Sequence, residues 1–131
     1  MVKKALVICV SDYTYLPSLD FCKNDRKGVC KILQEIGFEI PENNKLIGNV
    51  KYEKMRRAIL DFFSDETIKP RDILLFYFSG HGLPEDSGQS YLASSETDPK
   101  KPYYYGYSFD DLPNDLERSN SSKVVIILDC C

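Results

Sequence analysis

The sequence is short of several things, and each shortage argues against a class of function. It has one histidine, His81, which argues against a zinc site. No apolar run approaches the roughly 18 residues that span a bilayer. Lys3-Lys4 leads straight into a short apolar stretch rather than opening a signal peptide, so the expected compartment is the cytoplasm. There is no basic stripe, and a net charge of −3 gives nucleic acid little to hold. No Gly-rich phosphate loop follows the first predicted strand, where Ser11-Asp-Tyr-Thr-Tyr15 stands instead, and this counts against a flavodoxin-like nucleotide binder. Repeats, linkers and low-complexity tracts are lacking too. The five cysteines are an odd number, and Cys9, Cys22, Cys30, Cys130 and Cys131 do not form a secreted disulfide framework; reduced thiols are expected.

What remains is a single globular domain. A chain of 131 residues supports one core but not two. Its hydrophobic fraction of 43%, with 12% aromatic, is that of a folded protein. The central stretch is Asp72-Ile-Leu-Leu-Phe-Tyr-Phe-Ser-Gly-His-Gly82. Ile73 to Phe78 are uninterrupted apolar residues and read as a strand buried on both faces, in the middle of a parallel sheet. Lys123-Val-Val-Ile-Ile-Leu-Asp-Cys-Cys131 reads as a second strand of the same kind.

Taken in order, Lys4 to Val10 is the first strand, also buried on both faces. A helix is expected from about Asn24 to Ile36, with Asn24 as N-cap, Asp25 in the first turn, Gly37 as the stop, and Val29, Ile32, Leu33 and Ile36 as its apolar stripe. Lys45-Leu46-Ile47 is a short second strand. Asn49 is placed to cap a second helix from about Val50 to Ser64, with Tyr52, Met55, Ile59, Phe62 and Phe63 on one face. The order β-α-β-α-β implies parallel pairing with right-handed crossovers. Leu83 to Tyr107 reads mostly as loop, with a short β segment at Ser90 to Ala93 and an exposed, partly packed run at Tyr103-Tyr-Tyr-Gly-Tyr107. Ser108-Phe-Asp-Asp111 has the spacing of a cap for a short helix reaching Arg118, weakened by Pro113.

In open α/β sheets chemistry gathers just beyond the carboxyl ends of the strands. His81 stands there, between Gly80 and Gly82, and Cys131 stands after the last strand, fifty residues later. A thiol attacks as its thiolate, which an imidazole generates or stabilises, so the pair has the makings of a cysteine nucleophile and its base. The glycines let the backbone turn sharply and leave the Gly82 amide available to a developing oxyanion. The alternative on spacing alone is a turn histidine and buried strand-end cysteines. Likewise Asp25 reads as a first-turn helix acid, Asp129 as a cap on backbone amides, and Cys22 as core packing.

Phe76-Tyr-Phe-Ser-Gly-His-Gly82 together with Leu128-Asp-Cys-Cys131 resembles the large-subunit (p20) half of a caspase-like cysteine protease, closest to the metacaspases and their prokaryotic relatives. The similarity runs over nearly the whole chain, including Leu19-Asp-Phe-Cys-Lys-Asn-Asp25. It implies a three-layer α/β/α fold with a mostly parallel, flavodoxin-like sheet in the order about 2-1-3-4, truncated after the fourth strand. It also implies a cysteine endopeptidase acting on polypeptides. His81 matches the general base. Cys131, the last residue of Asp129-Cys130-Cys131, matches the nucleophile in preference to Cys130. Gly82 and the amide of Cys131 match the oxyanion hole. Cys22, Asp25, Ser79 and Asp129 match the primary specificity (S1) pocket, where carboxylates select a substrate Arg or Lys. No cofactor is required by the sequence; calcium activation is a further implication, without ligands that can be placed on these residues. In the family a Ser-Gly turn, a helix and further strands follow the nucleophile. The chain is therefore expected to be an incomplete p20 catalytic domain over residues 1–131, with little activity alone, partnered by a small-subunit region or by other domains of a parent protein. A catalytically silent caspase-like interaction module is the other reading.

Overall fold

The computed structural model describes residues 1–20 and 22–130, the side chains of Cys22 and Lys23 excepted. The elements in chain order are β1 (Lys3–Val10), α1 (Cys22–Glu35), β2 (Lys45–Gly48), α2 (Tyr52–Phe63), β3 (Ile73–Gly80), β4 (Gly82–Pro84), β5 (Ser90–Ala93), α3 (Pro102–Tyr105), β6 (Gly106–Ser108), α4 (Asp111–Leu116) and β7 (Lys123–Cys130). The apolar segments β1, β2, β3 and β7 form one parallel sheet in the order β2-β1-β3-β7. This is the expected α/β architecture and strand order. Parallel neighbours need crossover connections, and α1 and α2 supply them on opposite faces of the sheet.

Each face carries its own core. On one, Leu6, Ile8 and Val10 of β1 and Leu74, Phe76 and Phe78 of β3 pack against Met55, Ile59, Phe62 and Phe63 of α2. On the other, Ala5, Val7 and Cys9 of β1 and Leu75 and Tyr77 of β3 meet Cys30 and Leu33 of α1. Because successive strand residues point to opposite faces, covering both makes β1 and β3 continuous apolar runs. Burial also raises the Cys30 thiol above its ordinary pKa, so that this cysteine packs as a small apolar group.

Several local expectations give way to tertiary structure. The stripe of α1 is narrower than its sequence implies, because Ile32 and Ile36 are exposed and Cys30 takes their place beside Leu33 and the half-buried Val29. The helix begins at Cys22 rather than at Asn24, which is therefore not its N-cap. Asn49 does not cap α2. The cap residue Lys51 makes no side-chain bond, and the Tyr52 N–H donates to Glu96 Oε1 at 2.9 Å. Ser95 Oγ accepts from the neighbouring Val50 N–H at 2.7 Å, so a loop far along the chain does the work of a local cap. Nor is β7 buried like β3. It lies at the sheet edge, with Val124, Ile126 and Leu128 packed toward the α2 side while Val125 and Ile127 are 43% and 42% exposed on the face that α1 leaves uncovered.

The stretch read mostly as loop holds a small antiparallel sheet, β4-β5-β6, in addition to the expected segment at Ser90–Ala93. Gly106 is required there, since a Cβ would stand 2.5 Å from the Pro102 carbonyl oxygen. Helix α4 is shorter than expected and ends at Leu116; its Asp110 cap makes no side-chain bond. Tyr107 is fully buried, and its hydroxyl donates to Asp115 Oδ2 at 2.6 Å, joining the small sheet to α4. Burial and the adjacent carboxylate both raise the Tyr107 pKa, so the phenol stays a donor. Tyr107→Phe strands a buried carboxylate oxygen, and the expected loss is about 1–3 kcal/mol in denaturant unfolding. An unchanged midpoint would show that water replaces the phenol at no cost.

Asp72 directly precedes β3 and staples two chain segments to it. Its Oδ1 accepts from the Val2 N–H and its Oδ2 from the Lys69 N–H, each at 2.8 Å, and these bonds hold its carboxyl below the usual pKa. Among the described residues, no helix is long and apolar enough to cross a membrane.

Candidate active site

The sheet register sets the site. Cys9 of β1 pairs with Ser79 of β3, Ser79 pairs with Asp129 of β7, and Gly80 pairs with Cys130. His81 is thus the first residue past β3 at the carboxyl edge. Cys131 is the next residue after Cys130 in the neighbouring strand, and it lies outside the described residues.

His81 is held by three contacts around its ring and backbone. Its Nε2 lies 2.9 Å from the Pro17 carbonyl oxygen. A carbonyl only accepts, so Nε2 is the donor in this bond and Nδ1 is the ring nitrogen that it leaves unengaged. Its backbone N–H donates to Tyr13 Oη at 2.9 Å, and that hydroxyl in turn donates to the Val10 carbonyl at 2.8 Å. The Tyr13 ring stands edge-on to the imidazole, 4.7 Å between centroids. Gly80 makes this possible, because a Cβ there would come within 2.7 Å of Tyr13 Oη and 2.9 Å of the Phe78 ring. The segment that carries Tyr13 and Pro17 is itself anchored: Ser11 N–H to Gly48 O at 3.1 Å, Thr14 N–H to Ser95 O at 3.0 Å, and Leu19 N–H to Ser11 O at 2.9 Å.

Gly82 opens β4 opposite Leu92. The Ala93 N–H donates to the His81 carbonyl at 2.9 Å, which makes Gly82–Leu92 the pair without ladder bonds and turns the Gly82 N–H away from β5. A Cβ on Gly82 would stand 3.0 Å from Cys130 Cβ and 3.3 Å from its Sγ, so the Cys130 side chain lies against this glycine. Cys130 is exposed.

Asp25 and Asp129 line one open pocket on the α1 face, together with Asn24, Gly28 and Tyr77. Asp25 comes from the first turn of α1 and Asp129 from the end of β7. Ser79 is buried beside the pocket and shares a side-chain hydrogen bond with Tyr77. Burial, with the negative fields of Cys9, Asp129 and Asp25 added to it, pushes the Tyr77 phenol up to about 12. The side chain of Cys22 lies outside the described residues. Larger hollows run along α2, lined by residues such as Tyr52, Arg56, Arg57 and Asp61; neither His81 nor Asp129 borders them. Among the described residues no three His, Cys, Asp or Glu side chains gather to hold a metal ion, so none is assigned to calcium.

The structure therefore brings Asp25, Asp129 and Ser79 to one place on the α1 face, and sets His81 and Gly82 beside Cys130 at the carboxyl edge of the same strands. Sequence reasoning missed Tyr13, the Pro17 carbonyl and Tyr77. Tyr77 had a signal, since it lies two residues before Ser79 on the same strand face. Tyr13 and Pro17 had none, because their contacts depend on how an irregular loop folds back.

A family model described as the caspase domain of peptidase family C14 matches residues 2–131. No curated protein matches the chain.

Proposed function

The chain belongs to the caspase-domain family of cysteine peptidases, and from that membership we propose that it is the p20 catalytic region of a metacaspase-type endopeptidase that cleaves polypeptides after Arg or Lys. Cys131 is the nucleophile and His81 its base. The observation that carries the reading is the engagement of His81 Nε2 by the Pro17 carbonyl at 2.9 Å, on the strand that neighbours β7. It turns a lone histidine at a strand end into an oriented base whose Nδ1 is the nitrogen left to work.

In this reading Nδ1 takes the thiol proton, and the thiolate sulfur attacks the scissile carbonyl carbon. The resulting oxyanion is met by the N–H groups of Gly82 and Cys131. The imidazolium returns its proton to the leaving amine as the C–N bond breaks, which leaves a thioester. Water, deprotonated by the same imidazole, hydrolyses that thioester and restores the thiol. Asp25 and Asp129, which border one pocket, face the substrate's basic side chain; Ser79 and Cys22 are the other two positions that the family resemblance assigns to it. The chemistry draws on no cofactor, and the reading places the enzyme in the cytoplasm, where its five cysteines stay reduced.

The test is covalent labelling of the full-length protein with two irreversible peptide probes, one ending in Arg and one in Asp, and the adduct mapped by mass spectrometry. The expected result is an adduct on Cys131 from the Arg probe alone. Labelling of Cys131 by the Asp probe alone keeps the nucleophile and removes the acidic pocket. No selective labelling of Cys131 by either probe moves the protein to the silent-module reading.

A further inference from the structure

Tyr77 is a tyrosine in a place that an aliphatic residue would fill as well for packing. It lies in the core cluster shared by β1, β3 and α1, among Val7, Cys9, Leu75 and Leu33. Yet it also lines the open pocket that Asp25 and Asp129 border, so one end of the side chain faces the space where a ligand would sit. Side chains two apart on a strand share a face, which puts Tyr77 beside Ser79, and Ser79 is paired in register with Asp129 on β7. The Ser79 side chain hydrogen-bonds Tyr77, so the phenolic oxygen is held in place within the pocket's wall. Burial above all, with the negative fields of Cys9, Asp129 and Asp25 added to it, keeps the phenol neutral through the working range of a protease, and the hydroxyl retains an acceptor lone pair.

We propose that Tyr77 is a specificity-determining residue of the basic pocket, whose hydroxyl oxygen accepts a hydrogen bond from a substrate guanidinium and so favours Arg over Lys. The proposal rests on the Arg/Lys reading of the pocket. Its chemistry lies in the different needs of the two cations. A lysine ammonium has three donors on one compact centre, and two carboxylates satisfy most of its demand. A guanidinium spreads five N–H donors over a rigid plane, and two carboxylates leave part of that plane without an acceptor. A third, neutral oxygen supplies one without adding a third charge to a site that already holds two. Removing it leaves a desolvated N–H unpaired, a loss that falls on Arg and spares Lys.

The experiment compares wild-type full-length protein with Tyr77→Phe, using irreversible peptide probes that differ only in a terminal Arg or Lys. Phe keeps the ring in the core, and unfolding in denaturant verifies that the variant folds. The expected result is a rise of about tenfold in the half-saturating concentration of the Arg probe, the scale of a hydrogen bond to a charged group. The maximal labelling rate should hold, and the Lys probe should change by less than twofold. An unchanged Arg-to-Lys ratio overturns the proposal, and so does an equal loss on both probes, which would mark Tyr77 as structural support alone. Wild-type protein that takes neither basic probe but takes an Asp probe defeats the pocket reading itself, and the failure then lies with that premise.

Discussion

His81→Ala is expected to slow labelling of Cys131 by the Arg probe by about 10²–10⁴ at neutral pH, the range over which a positioned acid–base group acts. Without the imidazole, the thiol ionises at its own pKa of about 8.5, so only a few per cent is thiolate at pH 7. Labelling of the variant should therefore climb steeply between pH 7 and 9, whereas wild type, whose thiolate the imidazole supports, should already be near its plateau. That difference in pH profile separates loss of the base from general damage to the fold. Tyr13→Phe is the graded companion. It keeps the ring that packs on the imidazole but removes the hydroxyl between the Val10 carbonyl and the His81 N–H, and its effect should be far smaller. On the proposed reading Cys130→Ala should leave labelling at Cys131 intact, because that reading gives Cys130 no chemical step. Equal labelling of wild type and His81→Ala would remove the base from the mechanism.

Much of the fold was legible because its signals are long and repeated. β1 and β3 are uninterrupted apolar runs, and only a strand covered on both faces asks for that pattern. The two crossover helices then fix parallel pairing, and the strand order follows the resemblance. What failed was local. The exposed Ile32 and Ile36 have the spacing of a buried stripe, but α1 sits over β1 and β2, and nothing among the described residues covers its outer side. Asn49 has cap chemistry that Glu96 and Ser95 supply instead from more than forty residues away. The same geography makes β7 an edge rather than a core strand: its composition matches β3, and only its position differs.

The site divides in the same way. Asp25, Ser79 and Asp129 were named through the family resemblance; the start of α1 and the end of β7 bring Asp25 and Asp129 to one pocket, and the register pairs Ser79 with Asp129. Tyr13 and the Pro17 carbonyl sit in an irregular segment, where sequence gives composition without direction. The carbonyl is a backbone atom and has no residue signature at all. Yet the Pro17 carbonyl is what engages His81 Nε2, and Tyr13 is what holds the His81 backbone N–H.

Loss of one pocket carboxylate should fall on substrate binding, as loss of His81 falls on rate, and by a smaller factor. Asp25→Asn keeps the size of the side chain but removes its charge and turns one acceptor oxygen into an NH2 donor, so its effect reads out charge pairing together with one lost acceptor. A charge-assisted bond to a guanidinium is worth about 1.5–3 kcal/mol. The expected result is therefore a rise of about 10–100-fold in the half-saturating concentration of the Arg probe, with little change in maximal rate. Asp129→Asn should act in the same direction, since both side chains border one pocket. It should act more weakly, because Asp129 is exposed where Asp25 is half-buried, and water screens it more. In the double variant the two losses should fall short of additive, because contacts to one bound cation share its geometry. Raising salt should weaken Arg-probe binding in wild type and leave the double variant almost insensitive, because screening acts only where charge remains. If both single variants bind the Arg probe as wild type does, the carboxylates are a helix-turn acid and a strand-end cap, and basic specificity must be read from other residues.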